Sequence, residues 1–354
     1  MKKNSLFEKA ISLYGFVLTV LVIWIHAAEP AAADNAVRAS AASEAAVRLL
    51  GTSLGNLAVP GFFCMSGYLF FRNIPADADA GTAAGLFAGK LKHRVYSLLI
   101  PYLIWNLIYY AVYIAAGRAE LGTSELINAA VRYRYNPVFW YLHELIIITV
   151  LTPLIYIACR KKAAAVLCTA AVFAAAVCYD LLPVHIVNED ALVYYMVGAA
   201  LALHCRKYES DRAMIGRTGA ACFIVYVMAE ELSMNAGANV RLLMIGLVGG
   251  RLSGLLAMFG AAAMCVRSEV KLPEYTDYNF LVYALHYLEI RLLHAVFGLL
   301  SGSVFGISYR ELPWADTLLY ILMPLLCIAM TVVIGRGMRR YTPKLYGLLT
   351  GGRA

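Results

Sequence analysis

Charge is scarce in this sequence: only 15% of its 354 residues are Asp, Glu, Lys or Arg, while 62% are hydrophobic. Soluble domains carry about 25% charged and roughly 45–50% apolar residues, so this chain cannot cover a water-facing surface. Paired cysteine motifs are missing as well. The eight cysteines (Cys64, Cys159, Cys168, Cys178, Cys205, Cys222, Cys265 and Cys327) lie in or beside apolar runs, without CxxC and without His/Cys spacing suited to zinc, so they read as packing residues. His143 and Glu144 do not open an HExxH motif, because position 147 is Ile, which excludes a metalloprotease. Neither a metal site nor a permanently bound cofactor is expected. Gly/Ser linkers and internal repeats are absent too, so 1–354 reads as a single integral membrane domain, with the Ala-rich stretches 27–47 and 76–89 as loops or helix extensions. The net charge of +8 is dispersed in short clusters between apolar runs, which excludes a nucleic-acid-binding patch.

What is present is a series of apolar runs near 11–28, 50–71, 95–116, 138–158, 163–180, 191–204, 213–232, 240–266, 278–300 and 315–335. A bilayer core of roughly 30 Å needs about 20 such residues per helix, so the pattern predicts an all-α, polytopic transmembrane bundle of about ten spans, the sixth being short. With ten spans, most Lys and Arg residues fall on one side, which predicts cytoplasmic N- and C-termini. The basic start followed by the Ala-rich stretch after His26 resembles a signal-peptide cleavage region, but the run is longer than the usual 7–15-residue apolar region and reads as a span.

Ionisable side chains at membrane depth are expensive and mark sites. His26, at the end of the first run, is either an interfacial histidine beside Trp24 or a general base able to take a proton from an attacking hydroxyl. His143 and Glu144, after Trp140, open the fourth run, where an acidic residue also simply suits a helix start. The second run carries Pro60, Ser66 and Gly67, which suit a kinked, closely packed helix. Lys90, Lys92 and Arg94 enter the third run as positive-inside anchors or as holders of an anionic donor's phosphates. In the ninth run, His286 and Glu289 share a helix face by i,i+3 spacing, beside Arg291 and His294. Arg251 is a buried cation in need of an anionic partner, either Glu289 or a ligand phosphate.

Taken in order, VLVIWIHA, VPGFFCMSGYLFF, KLKHRVYSLLIPYLIW, PVFWYLHELIIITVLTPLIY and FLVYALHYLEI resemble the integral membrane acyltransferase 3 family, whose bacterial members O-acylate surface polysaccharides and related glycans. The resemblance implies an acyl-CoA-dependent O-acyltransferase in a bacterial cytoplasmic (inner) membrane, with acyl-CoA as co-substrate and a glycan or lipid-linked saccharide as acceptor. Acetyl-CoA is the donor implied first, and succinyl or another short acyl chain fits equally. It implies that His26 is the catalytic histidine, oriented by Glu144 or Glu29, with His143 beside it. Lys90, Lys92, Arg94 and, in space, Arg251 would hold the acyl-CoA. Trp140, Ser66, His286 and Glu289 would line the cavity. Where the family usually has an arginine ahead of this histidine, the chain has Gly15. Two other readings stay open. One is a transporter or flippase using the buried His, Glu and Arg groups, which would call for internal repeats; the other is an inactive relative that binds or senses.

Overall fold

The computed structural model describes residues 6–28, 41–178, 188–237, 239–267, 271–306, 309 and 312–353, and the regular elements in them are all helical. They are α1 (Leu6–Ala27), α2 (Ala41–Phe71), α3 (Ala80–Ala115), α4 (Thr123–Arg132), α5 (Pro137–Val150), α6 (Thr152–Cys159), α7 (Lys162–Val177), α8 (Glu189–His204), α9 (Arg212–Met234), α10 (Val240–Cys265), α11 (Glu274–Val304), α12 (Trp314–Tyr341) and α13 (Pro343–Thr350). Seven of them (α1, α2, α3, α9, α10, α11 and α12) are each long and apolar enough to cross a bilayer. The pair α5 and α6, bent by 63°, makes an eighth if it is one span. Pro153 causes the bend, since it lacks an N–H and its ring crowds the Thr149 carbonyl, which the Thr152 hydroxyl takes up at 2.7 Å. Helices α7 and α8 have 16 residues each, about 24 Å at the usual rise, short of a full bilayer core. Helices therefore stand at all ten apolar runs, while at most eight of the described segments meet the length and composition of a span.

The chain divides into two compact units. The first comprises Met1–Ile11, Pro60–Val270 and Gly347–Arg353. Its most extensive pairing is the α9/α10 hairpin, where a Cβ on Gly219 would lie 2.8 Å from the Gly260 Cα, so only glycine lets the two backbones touch. Phe223, Ile224, Val227 and Met228 of α9 are exposed, as a lipid-facing surface requires. Helices α2 and α8 cross as closely: a Cβ on Gly67 would meet the Tyr195 carbonyl at 2.2 Å, and one on Gly198 the Cys64 carbonyl at 2.0 Å. The second unit comprises Ser12–Val59 and Lys271–Tyr346. In it α11 packs on α12, and the first part of α2 lies against both α1 and α12 through Gly55 beside Ile25 and Gly51 beside Tyr320.

One ion pair in the first unit carries a pH signature. Arg72, just after α2, holds Glu209 with two parallel bonds of 2.9 and 2.7 Å, and Tyr68 donates to the same carboxylate. Burial pushes the Glu209 carboxyl up, but the bonds from Arg72 and Tyr68 outweigh it and hold it below its ordinary range. A pKa lowered by folding gives stability that is present above the unfolded value and is lost as the pH falls through the folded one. Glu209→Gln is therefore expected to cost about 1–3 kcal/mol at neutral pH. Thermal melting in detergent should show the gap to wild type closing below about pH 4; an equal gap at both pH values would assign the loss to packing.

Candidate active site

His26 lies in the second unit, half-buried in the last turn of α1. The helix end is pinned there by Trp24, whose indole N–H reaches the Ile321 carbonyl of α12 at 3.4 Å. Gly55 lets α2 approach so closely that a Cβ would stand 2.8 Å from the Ile25 side chain. Against this end α11 presents two rings. The His286 ring centroid is 5.4 Å from that of His26, at 40°, and Tyr287 meets His26 edge-on at 6.0 Å. Tyr287 is itself held: Arg291 stacks over its ring at 4.7 Å and donates to its hydroxyl at 2.7 Å.

His286 is fully buried, and its Nδ1 lies 2.6 Å from the Tyr283 carbonyl. Glu289, one turn on, is also buried and accepts a bond from Thr331 of α12 at 2.8 Å. The i,i+3 spacing thus does put both polar groups inside the bundle. Glu29, expected as an orienting carboxylate, lies outside the described residues.

The first unit holds a cationic cluster. Lys90 and Arg94 on α3 both lie over the buried Phe70 ring of α2, at 5.4 and 5.8 Å, while Lys92 is exposed. Directly after Arg94 the helix widens to π geometry over Val95–Leu99. Into this turn comes the segment after α13. Trp105 donates to the Leu349 carbonyl at 3.0 Å, and Gly351, at φ +64°, sits where a Cβ would be 2.7 Å from both Cα and O of Ser97. Gly351 thus needs glycine for its backbone angle and for its space. The turn brings Arg353 round, with its Nη1 3.2 Å from the Thr350 carbonyl. Arg353 is partly exposed as a residue, yet its guanidinium is enclosed by protein. Burial first and the nearby Arg94 cation second push its pKa down to about 10, so it stays charged at neutral pH. On α5, the Tyr141 phenol shares a 3.2 Å hydrogen bond with Ser66 of α2. Sequence reasoning placed Arg353 among topology signals; the Gly351–Gly352 pair before it was the available hint of a turn.

The remaining expected residues fall elsewhere. Trp140 packs near Phe63 at 6.5 Å. His143 lies between the rings of Tyr133 and Tyr102, at 5.3 and 6.2 Å. Glu144 accepts from the Asn188 N–H at 2.6 Å, tying α5 to the start of α8. Arg251 pairs with Asp190 at 3.5 Å, a partner not expected from the sequence, because the start of α8 brings that carboxylate beside α10. The grouping of Arg251 with Lys90, Lys92 and Arg94 gains no contact from the structure. Among the described residues no group of three His, Cys, Asp or Glu side chains is placed to hold a metal ion.

The acyltransferase 3 family model, described as an acyltransferase domain, matches residues 16–341, across both compact units. The succinoglycan biosynthesis protein ExoH of Rhizobium meliloti (strain 1021) is 25% identical over 324 residues, covering 86% of this chain and 81% of that protein. No solved structure matches the chain.

Proposed function

We propose, on the premise that this chain belongs to the acyltransferase 3 family, that it carries a short acyl group from acyl-CoA to a hydroxyl of a bacterial polysaccharide or its lipid-linked precursor. Family membership makes the protein an acyltransferase, and its long apolar helices make it a multi-pass membrane protein. The name of its Rhizobium relative supports a polysaccharide acceptor. The observation that supports the donor most is the pair of cations Lys90 and Arg94 over Phe70, with the turn that carries Arg353 packed against Ser97 just beyond them. The phosphates of acyl-CoA are anions that guanidinium and ammonium groups pair with, and Lys90 stands beside Arg94 on the same helix face. The Tyr141 and Ser66 hydroxyls would then meet the amides of the pantetheine arm. In this reading the membrane is the inner membrane, the chain crosses it ten times with both termini cytoplasmic, and the arginines open to the acyl-CoA pool.

The chemistry balances with one histidine. As the acceptor oxygen attacks the thioester carbonyl, its proton passes to His26; the C–S bond then breaks, and the leaving thiolate takes that proton to give ester and free CoA. Acetyl is the first acyl group to test and succinyl the second. Inside-out vesicles containing the protein, from cells that make an acidic exopolysaccharide, should release CoA and transfer label from acyl-labelled acetyl-CoA or succinyl-CoA. Arg94→Ala and Arg353→Ala should each raise the KM for acyl-CoA about 10- to 100-fold, as loss of one charge-assisted bond does, with little change in kcat. Unchanged KM in both would remove the donor site from this cluster, and vesicles silent with every short acyl-CoA would shift weight to a transport role.

A further inference from the structure

A buried ring nitrogen on α11 is left over from the site as described. The Tyr283 carbonyl can only accept, so at 2.6 Å the His286 Nδ1 must be the nitrogen that carries hydrogen. In the neutral ring that leaves Nε2 as a bare lone pair. This atom is fully buried and has no hydrogen-bond partner among the described residues, an arrangement that costs free energy unless some state of the protein supplies a donor. Two polar rings lie near that of His286, Tyr283 at 5.8 Å and His26, the nearer, at 5.4 Å between centroids. Two imidazoles joined by an N–H···N bond of about 3 Å have centroids roughly 5–5.5 Å apart, so the spacing is already that of a bonded pair and a modest turn of the His26 ring would complete it.

We propose that His286 is the positioning partner of His26: its Nε2 accepts the N–H on the side of the His26 ring turned away from the acceptor hydroxyl. The inference rests on the general-base reading of His26 and adds the group that fixes its tautomer. When His26 takes the hydroxyl proton, both its nitrogens carry hydrogen, and the new positive charge is shared across the N–H···N bond to His286. On collapse of the tetrahedral intermediate the thiolate removes the proton taken from the hydroxyl, and the pair returns to its starting state. His286 does here, as a neutral acceptor, what a carboxylate does for the imidazole in hydrolase triads. The tautomer is set by a backbone carbonyl, which cannot change sides.

Three substitutions separate this role from a structural one. Glutamine places an acceptor where Nε2 stands, asparagine places a donor where Nδ1 stands, and phenylalanine fills the space with neither. His286→Phe should lower kcat for CoA release from acetyl-CoA in vesicles about 10- to 100-fold with KM unchanged. His286→Gln should recover most of that loss, and His286→Asn should not. Rescue by asparagine alone, or full rate with phenylalanine, would overturn the proposal. His26→Ala distinguishes the two layers: a dead His26→Ala beside a fully active His286→Phe removes the partner role only, whereas a fully active His26→Ala removes the general-base reading itself. A readout free of turnover is nitrogen NMR of histidine-labelled protein in nanodiscs. His286 Nε2, assigned by its loss in His286→Gln, should resonate as an unprotonated ring nitrogen and should shift in His26→Ala. A protonated Nε2, or no shift, overturns the pairing.

Discussion

On the acyl-CoA mechanism proposed above, replacing His26 with alanine is expected to lower acyl transfer by about 10²–10⁴-fold, the span that general-base groups contribute, with membrane insertion and donor binding retained. The expectation follows from where the side chain sits. His26 is half-buried at a helix end, so its removal costs little packing, and α1 remains held by Trp24 on Ile321 and by Gly55 against Ile25. A sugar hydroxyl is a poor nucleophile until something takes its proton in the transition state, and imidazole is suited to do so near neutral pH. The measurement is label transfer from acetyl-CoA in vesicles, with acyl-CoA binding measured alongside. Lost turnover with intact binding assigns His26 to chemistry; loss of both would assign it to folding, and loss of neither would end its candidacy.

The second large effect is structural. Gly198→Val is expected to abolish accumulation of folded protein, because the new side chain would start 2.0 Å from the Cys64 carbonyl and 2.9 Å from its carbon, both backbone atoms that no rotamer change can move. Helices α2 and α8 would have to separate by an ångström or more, which costs about 3 kcal/mol or more in a close-packed core. It would also loosen the Phe71 and Tyr195 rings, now 6.4 Å apart across the same crossing. Gly67→Val should behave alike, since its Cβ would meet the Tyr195 carbonyl at 2.2 Å. Size-exclusion profiles and melting temperatures in detergent check both, and a monodisperse Gly198→Val protein melting as wild type would refute the close crossing.

The helices themselves were legible, since every apolar run is helical, the one at 138–158 as two helices, and hydrophobic length is set by local composition. Their reach was less so. The runs at 163–180 and 191–204 gave helices of 16 residues because Lys161 and Cys205 interrupt the helical backbone at one end of each. The bend between α5 and α6 was carried openly by Thr152–Pro153. Local spacing also showed that His286 and Glu289 share a face. Pairings between distant helices were not legible: nothing near Arg251 in sequence points to Asp190, and nothing near His26 points to His286. Such contacts depend on how helix ends meet in space, which one sequence does not encode in any short pattern. Arg353 was hidden for another reason. A cation near a span end reads as a topology signal whether it faces water or folds back over Ser97.

The π turn at Val95–Leu99 has a further consequence, because such a turn holds one residue more than the α-helix it interrupts. Delete that residue and the turn can close as ordinary α-helix with the helix on either side still in phase, whereas a deletion in the regular part of α3 between the turn and the helix end would rotate everything before it by about 100°. Arg94 would then leave the face of Phe70 although no arginine had been mutated. The turn is thus the one stretch of α3 where a gap of one position can be absorbed, and a residue-by-residue comparison would score the two omissions alike.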